Sequence, residues 1–395
     1  MASSDDQPQR PDVSGPVPPA ESTRAWWGGV REQLGIDPLV GGLVRNYMIP
    51  AETNTVWYVL GGVLAIALGF ELLTGAILLF TYTPNAATAW QKTRDLLASP
   101  GWSIILNFHY YAAYLIFGLV MLHMMRVFVS GAYRAAKKGL WQVGVALAAI
   151  VFGLSITGET LHWDERGFAV PWHVGEFLEA LGLQHTFNWV HKDLLNVSFA
   201  SSKLLIFYAL HVLVLPAVLL FVIVLHYYLI RAKGISLPFW HKASGRTTPF
   251  SEHIRAWAIW GGIILGAILI VSIVVNRGPG PAPQNLAISP FYGTHAGPGN
   301  LGVTPTYPIS WTHGMNRFVS IAFGLTPDIW GTVIGMGIML GALVLIPFVD
   351  RGRSEPRSWA GAFNLRERGW AFALITLFWA TMIAGIVTNA VTPKG

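Results

Sequence analysis

The sequence predicts an all-α, polytopic membrane protein with about seven transmembrane helices, a four-helix bundle followed by three C-terminal helices. Two observations carry this. Hydrophobic residues make up 53% of the 395-residue chain and charged residues only 12%, about half the charge of an ordinary soluble domain. The apolar residues also gather into seven runs at or near the ~18 residues that a spanning helix needs. These runs lie at about 55–80, 103–128, 141–157, 204–230, 257–276, 329–350 and 369–389.

In order, the first run carries Gly61 and Gly75, and between them Glu71. An ionisable residue inside hydrocarbon is costly, so Glu71 reads either as a proton-conducting group or as a paired structural carboxylate. The second run holds His109 and His123, the third Gly144 and Gly158, and the fourth His211 and His226. A basic stretch at 231–256 then separates four helices from three. The fifth and sixth runs flank a Gly- and Pro-rich connection at 277–328, expected to be ordered but irregular. The other long connection, 157–203, contains VGEFLEALGL and NWVHKDLLNV, which suit short interfacial helices. The resulting division is a 1–50 tail and surface segment, a 51–235 core, a 236–256 basic linker and a 257–395 C-terminal domain with a long outer loop.

The 26 Lys and Arg residues are unevenly shared: alternate connections hold 18 of them and the other set 8. By the positive-inside rule, the N-terminus is cytoplasmic, the C-terminus external, and both long loops face outward. That makes the expected location the cell membrane, crossed several times. The first 25 residues are polar and rich in Pro and Ser, and read as a disordered cytoplasmic tail rather than a signal peptide. There is no cysteine, which excludes disulfides, thiolate metal sites, iron–sulfur ligation and covalently attached c-type haem in this chain. No Lys/Arg cluster is dense enough for nucleic acid.

The histidine spacing is the main chemical signal. His109 and His123 are 14 residues apart, His211 and His226 are 15 apart. On a helix these are close to four turns, so each pair shares one face and is separated by roughly 21–22 Å of rise. Two such helices can clamp two stacked haems, each iron taking one imidazole from each helix. That makes the first four helices a four-helix di-haem bundle; a proton relay is the competing reading. Gly61 and Gly75 are also 14 apart, as are Gly144 and Gly158. Glycine lets a backbone approach a flat ligand closely, so these positions suit helices passing the edges of two haems, although small-residue helix packing gives the same pattern.

Longer motifs add a family resemblance. LGG…TG lies on the first helix, and H-x13-H followed by RVFVSGAYR on the second. WQVG…TG lies on the third, FYALHVLVLP…LHYYLIRAKGIS on the fourth, and LIPFVD closes the sixth. Over roughly residues 45–350 the chain resembles cytochrome b of the cytochrome bc complexes. It is most similar to the plastid and Gram-positive branch, with both parts fused. The resemblance implies two non-covalent b-type haems, His109 and His211 holding the outer one and His123 and His226 the one nearer the cytoplasm. Arg126, Arg134 and Arg231 stand where cations meet haem propionates, though positive-inside anchoring accounts for them equally well. Quinone or quinol is the implied substrate. The implied partners are a Rieske iron–sulfur protein and a c-type cytochrome in an oligomeric complex.

Two departures bear on the outer quinol site. The family motif TGYxLPW reads TGETLHW here, with Glu159 and His162 replacing Tyr and Pro. The Pro-Glu-Trp-Tyr motif is absent. An ungapped match anchored on Pro327 and Pro347 puts Thr312-His313-Gly314-Met315 in its place, and Pro308-Ile309-Ser310-Trp311 lies four residues out of register. Glu159, Asp164 and His313 are then the candidate proton acceptors. These changes leave open a second reading: a di-haem membrane anchor linking the quinone pool to a peripheral molybdoenzyme, hydrogenase or multihaem cytochrome. A non-redox transporter would need no haem.

Overall fold

The computed structural model describes residues 47–183, 197–240, 245–278, 310–324 and 330–391. Among them are seven helical stretches long and apolar enough to cross a membrane. The first is α1 (Val56–Leu78). A short helix α2 (Ala89–Ala98), which no apolar run announces, precedes the second span α3 (Pro100–Val129). Pro100 suits the first turn of α3, where a missing N–H removes no helical bond. The third span is α4 (Lys138–Leu161), followed by α5 (Glu165–Ala180), which takes in the first of the two expected interfacial segments. Most of the second, NWVHKDLLNV, lies outside the described residues.

The fourth span is continuous but not uniform. It comprises α6 (Val197–Ala209), a π-helical turn over Leu210–Val214, and α7 (Leu215–Lys233). Pro216 explains the π-turn, because its ring would strike the carbonyl four residues back and it has no N–H to donate. A π-turn inserts one residue without advancing the helix face. The 15-residue interval from His211 to His226 thus matches the 14-residue interval on α3.

A short antiparallel pair then ties two helix starts together. β1 (Met48–Pro50) pairs with β2 (Thr247–Pro249), so the chain before α1 and the chain before the fifth span lie at one membrane face. The fifth span α8 begins at Phe250 and runs to Val274, so the last part of the expected linker is helical. It lies against α1 and α3, and the Trp257 ring occupies the notch left by Gly62.

The expected irregular outer loop contains a helix, α9 (Ser310–Phe323). Its Gly314 lies against the backbone of Gly385, and no side chain fits between them. The last spans are α10 (Trp330–Val349) and α12 (Leu365–Val391), with a four-residue turn α11 (Trp359–Ala362) between them. α9, α10 and α12 form one group, and α10 also meets α4.

Pro347 inside α10 deprives the Leu343 carbonyl of its helical donor. Trp141 Nε1 on α4 supplies the bond instead, at 2.7 Å. Beyond α10, Asp350 gathers Tyr133 Oη at 2.6 Å, Arg134 Nε at 3.1 Å and Arg368 Nε at 3.3 Å. Arg368 also donates to the carbonyls of Phe128 and Ala362. Burial opposes the charge on Asp350, but hydrogen bonds from Arg134 and Tyr133 hold its carboxyl below the usual range. Burial pushes the Tyr133 phenol up, and the Asp350 carboxylate beside it adds to that. This knot joins the α3–α4 connection to the start of α12.

Candidate cofactor-binding core

α3 and the α6–α7 span present their histidines toward each other. The His109 and His211 rings have centroids 6.2 Å apart and planes at 87°. Two metal–imidazole bonds of about 2 Å each, as seen for zinc, plus about 1 Å from each nitrogen to its ring centre, separate the centroids by roughly 6 Å. The pair therefore has room for one metal atom between the rings. Among the described residues no group of three His, Cys, Asp or Glu could hold a metal. Two imidazoles suffice only for a metal that brings its other ligands with it, as haem iron does. A cavity of about 420 Å³ adjoins the pair, lined in part by Gly75, Gly158 and Leu219. The residues present fit a haem.

All four expected glycines face imidazoles. A Cβ on Gly75 would stand 3.1 Å from His109 Cε1, and one on Gly61 3.1 Å from His123 Cε1. On α4, a Cβ on Gly158 would stand 2.8 Å from His211 Cε1, and one on Gly144 3.7 Å from His226 Cε1. The glycines thus make room for the ligand rings themselves. α1 backs the α3 histidines and α4 backs those of the fourth span.

Two threonines orient the His109–His211 pair. Thr74 Oγ1 donates to Phe70 O at 2.9 Å and lies 3.0 Å from His109 Nδ1. Thr157 Oγ1 donates to Gly153 O at 2.9 Å and lies 3.1 Å from His211 Nδ1. With its proton given to the backbone, each hydroxyl oxygen accepts from Nδ1–H. That assignment leaves the Nε2 lone pair for a metal. Neither threonine was singled out from the sequence, although Thr-Gly recurs at 74–75 and 157–158. Glu71 is paired: its Oε1 lies 3.2 Å from His109 Nδ1. At the other end of the bundle, His123 Nδ1 and His226 Nδ1 have no hydrogen-bond partner among the described residues.

The three arginines divide. Arg126 lies over the Tyr58 ring at 4.4 Å, and Arg231 over Tyr47 at 3.7 Å. Both stay at the His123–His226 end of the bundle, three and five residues beyond those histidines. Arg134 departs from the propionate expectation. Its guanidinium is taken up by Asp350 at 2.9 Å, Glu367 at 3.3 Å and the Ser354 carbonyl at 3.1 Å. A basic residue close after a span satisfies charge-based reasoning whichever partner it meets.

The mouth of the cavity is built where α4 ends. Buried Trp163 adopts φ 50° there, a left-handed turn unusual for a bulky residue. Glu159 is buried and lines the cavity. Asp164 caps α5, accepting Gly167 N at 2.9 Å as helix N-caps do, and lies 3.7 Å from Arg277. Its oxygens are thus committed in a way that the sequence did not reveal. His313 lies on α9; its side chain is outside the described residues. Two residues join unannounced: Arg277 donates to His162 Nε2 at 2.5 Å and lies 3.9 Å over the Tyr110 ring. Burial pushes the His162 imidazole well below its usual range, and the Arg277 charge beside it adds to that.

Facing imidazoles inside an apolar helical bundle, backed by glycines, define a membrane-embedded, haem-binding electron carrier. A family profile described as Cytochrome b/b6/petB matches residues 44–234. Cytochrome b6 of Synechococcus sp. (strain RCC307) is 30% identical over 220 residues, covering 52% of this chain and 94% of the relative. Cytochrome b6 of Synechococcus sp. (strain WH7803) is 29% identical over 212 residues, covering 53% and 94%. The chain belongs to the cytochrome b/b6 family, and with it come haem b and electron transport in a membrane. A solved structure titled Hyperthermophilic respiratory Complex III matches with a TM-score of 0.65 at 17% identity, over 92% of this chain and 98% of that one. At that identity the likeness is one of fold, and it extends past the end of the family match.

Proposed function

We propose that the chain is the di-haem subunit of a quinol-oxidising, bc-type complex, passing electrons across the membrane between quinol and partner redox subunits. The observation that carries this is the His109–His211 pair, 6.2 Å apart with planes at 87°. Haem, when bound, supplies one-electron redox chemistry. The chain's own residues do the rest. His109 and His211 hold the outer haem and His123 and His226 the inner one. Thr74 and Thr157 fix the outer rings, the four glycines admit the ligands, and Arg126 and Arg231 offer cations to the inner propionates. The 18-to-8 division of Lys and Arg supports a cytoplasmic N-terminus. A reporter fused after Gly395 should then read as external and one in the 231–256 stretch as cytoplasmic.

For the outer quinol site we propose the 157–170 and 305–320 segments, with Glu159, Asp164 and His313 as proton acceptors. Glu159 carries most of that role, because Asp164 is held by Gly167 and Arg277. Replacing Glu159 with Gln, Asp164 with Asn and His313 with Gln together should slow quinol-driven haem reduction by about tenfold or more, the lower end of what lost acid–base help costs. An unchanged rate would favour the second reading, a di-haem anchor serving a peripheral oxidoreductase. What supports that reading is the replacement of the family's outer motifs at Glu159 and His162. A co-purifying Rieske protein and c-type cytochrome would favour the first reading, and a molybdoenzyme, hydrogenase or multihaem cytochrome the second.

A further inference from the structure

We infer that Glu71 is a positioning residue that tunes the outer cofactor: its carboxylate shares the Nδ1–H of His109 with Thr74 and lowers the potential of the haem on that imidazole. The inference rests on the reading of His109 as a haem ligand. Glu71 lies on α1 one turn before Gly75 and lines the same cavity as His109. Its Oε1 is 3.2 Å from His109 Nδ1. Among the described residues its buried Oε2 has no hydrogen-bond partner, so the carboxylate is aimed at the imidazole.

α4 supplies an internal comparison. Thr157 and Gly158 treat His211 as Thr74 and Gly75 treat His109, down to hydroxyl–Nδ1 distances of 3.1 and 3.0 Å. Four residues before each glycine the match ends: α1 has Glu71 and α4 has Leu154. The His109 and His211 imidazoles each meet a hydroxyl and the backbone carbonyl four residues before the glycine, of Glu71 and Leu154 respectively, and His109 has the Glu71 carboxylate in addition. Among the described residues, His123 and His226 have no partner on Nδ1. Such partners fix ring orientation and raise ligand basicity. A carboxylate beside a cationic ferric centre also favours the oxidised form. The four imidazoles are thus graded, and the outer pair is asymmetric.

The test uses the intact complex with both haems, unmodified and as Glu71→Gln or Glu71→Leu, the second reproducing the α4 side chain. Midpoint potentials come from redox titration of the visible bands, and ligand-field changes from the ferric EPR signals. In both variants one haem should shift upward. At fixed ambient potential its ferrous-to-ferric ratio should rise about tenfold, which is 59 mV for a one-electron couple. Its EPR g values should move while the other haem's potential stays put. Should the Leu variant alone lose haem, the Gln variant decides. Unchanged midpoints in both variants would overturn the inference. So would loss of the outer haem from both, which would make Glu71 a requirement of the pocket rather than a modulator. An unmodified protein without bis-imidazole spectra would overturn the ligand assignment itself, and the inference with it.

Discussion

His211 fills the notch left by Gly158: its Cε1 lies 2.8 Å from where a Cβ on that glycine would stand. The corresponding distance from Gly144 to His226 is 3.7 Å. The two glycines look alike in sequence, but one is a tight seat and the other has slack.

The first prediction follows from that difference. Gly158→Val should lose one of the two proposed haems, because branched carbons at 2.8 Å must push the imidazole off its axis. Gly144→Ala should keep both, since 3.7 Å is ordinary van der Waals contact. Haem per chain, measured by extraction, distinguishes the two variants.

The second prediction concerns Trp141, whose indole N–H meets the Leu343 carbonyl that Pro347 strands. Trp141→Phe keeps most of the ring but leaves a buried acceptor unpaired, which costs about 1–3 kcal/mol. Thermal unfolding in detergent should fall by a few degrees. Restoring the helical donor with Pro347→Ala in the same chain should recover part of the loss.

The third concerns Asp350. Removing one partner of a buried ion pair typically costs about 3–5 kcal/mol, so Arg134→Ala should destabilise far more than a surface substitution while leaving both haem spectra intact. The carboxyl is held below its usual range, so the unfolded state binds the proton more tightly than the native one. Its contribution is therefore complete above the ordinary aspartate value, near pH 4. It is lost as pH falls through the lower native value. Unfolding temperatures measured from pH 7 down to pH 3 should drop more steeply for the unmodified protein than for Asp350→Asn.

How much of this is legible in the sequence depends on whether the signal is local. The spans show as apolar runs, and the four histidines stand out because imidazole is conspicuous in hydrocarbon. α8 begins seven residues before its apolar run, because Ser251-Glu252-His253-Ile254-Arg255 has the composition of a linker. α9 is hidden by the polar residues Thr312, His313, Asn316 and Arg317. The π-turn at Leu210–Val214, which makes a 15-residue interval act as 14, can be inferred from Pro216 but not from the spacing. The partners of Arg134 and Asp164 are not legible for one reason. Those partners, Asp350 and Arg277, lie 216 and 113 residues away, and residue type alone does not show which charges meet across such separations.

The account stands or falls on which histidines share a haem. The purified chain in its native complex should contain two non-covalent haems with bis-imidazole spectra. His109→Ala and His211→Ala should each remove the same one, identified by its midpoint potential, and His123→Ala and His226→Ala the other. A preparation with one haem or none, or variants that pair His109 with His226, would contradict it.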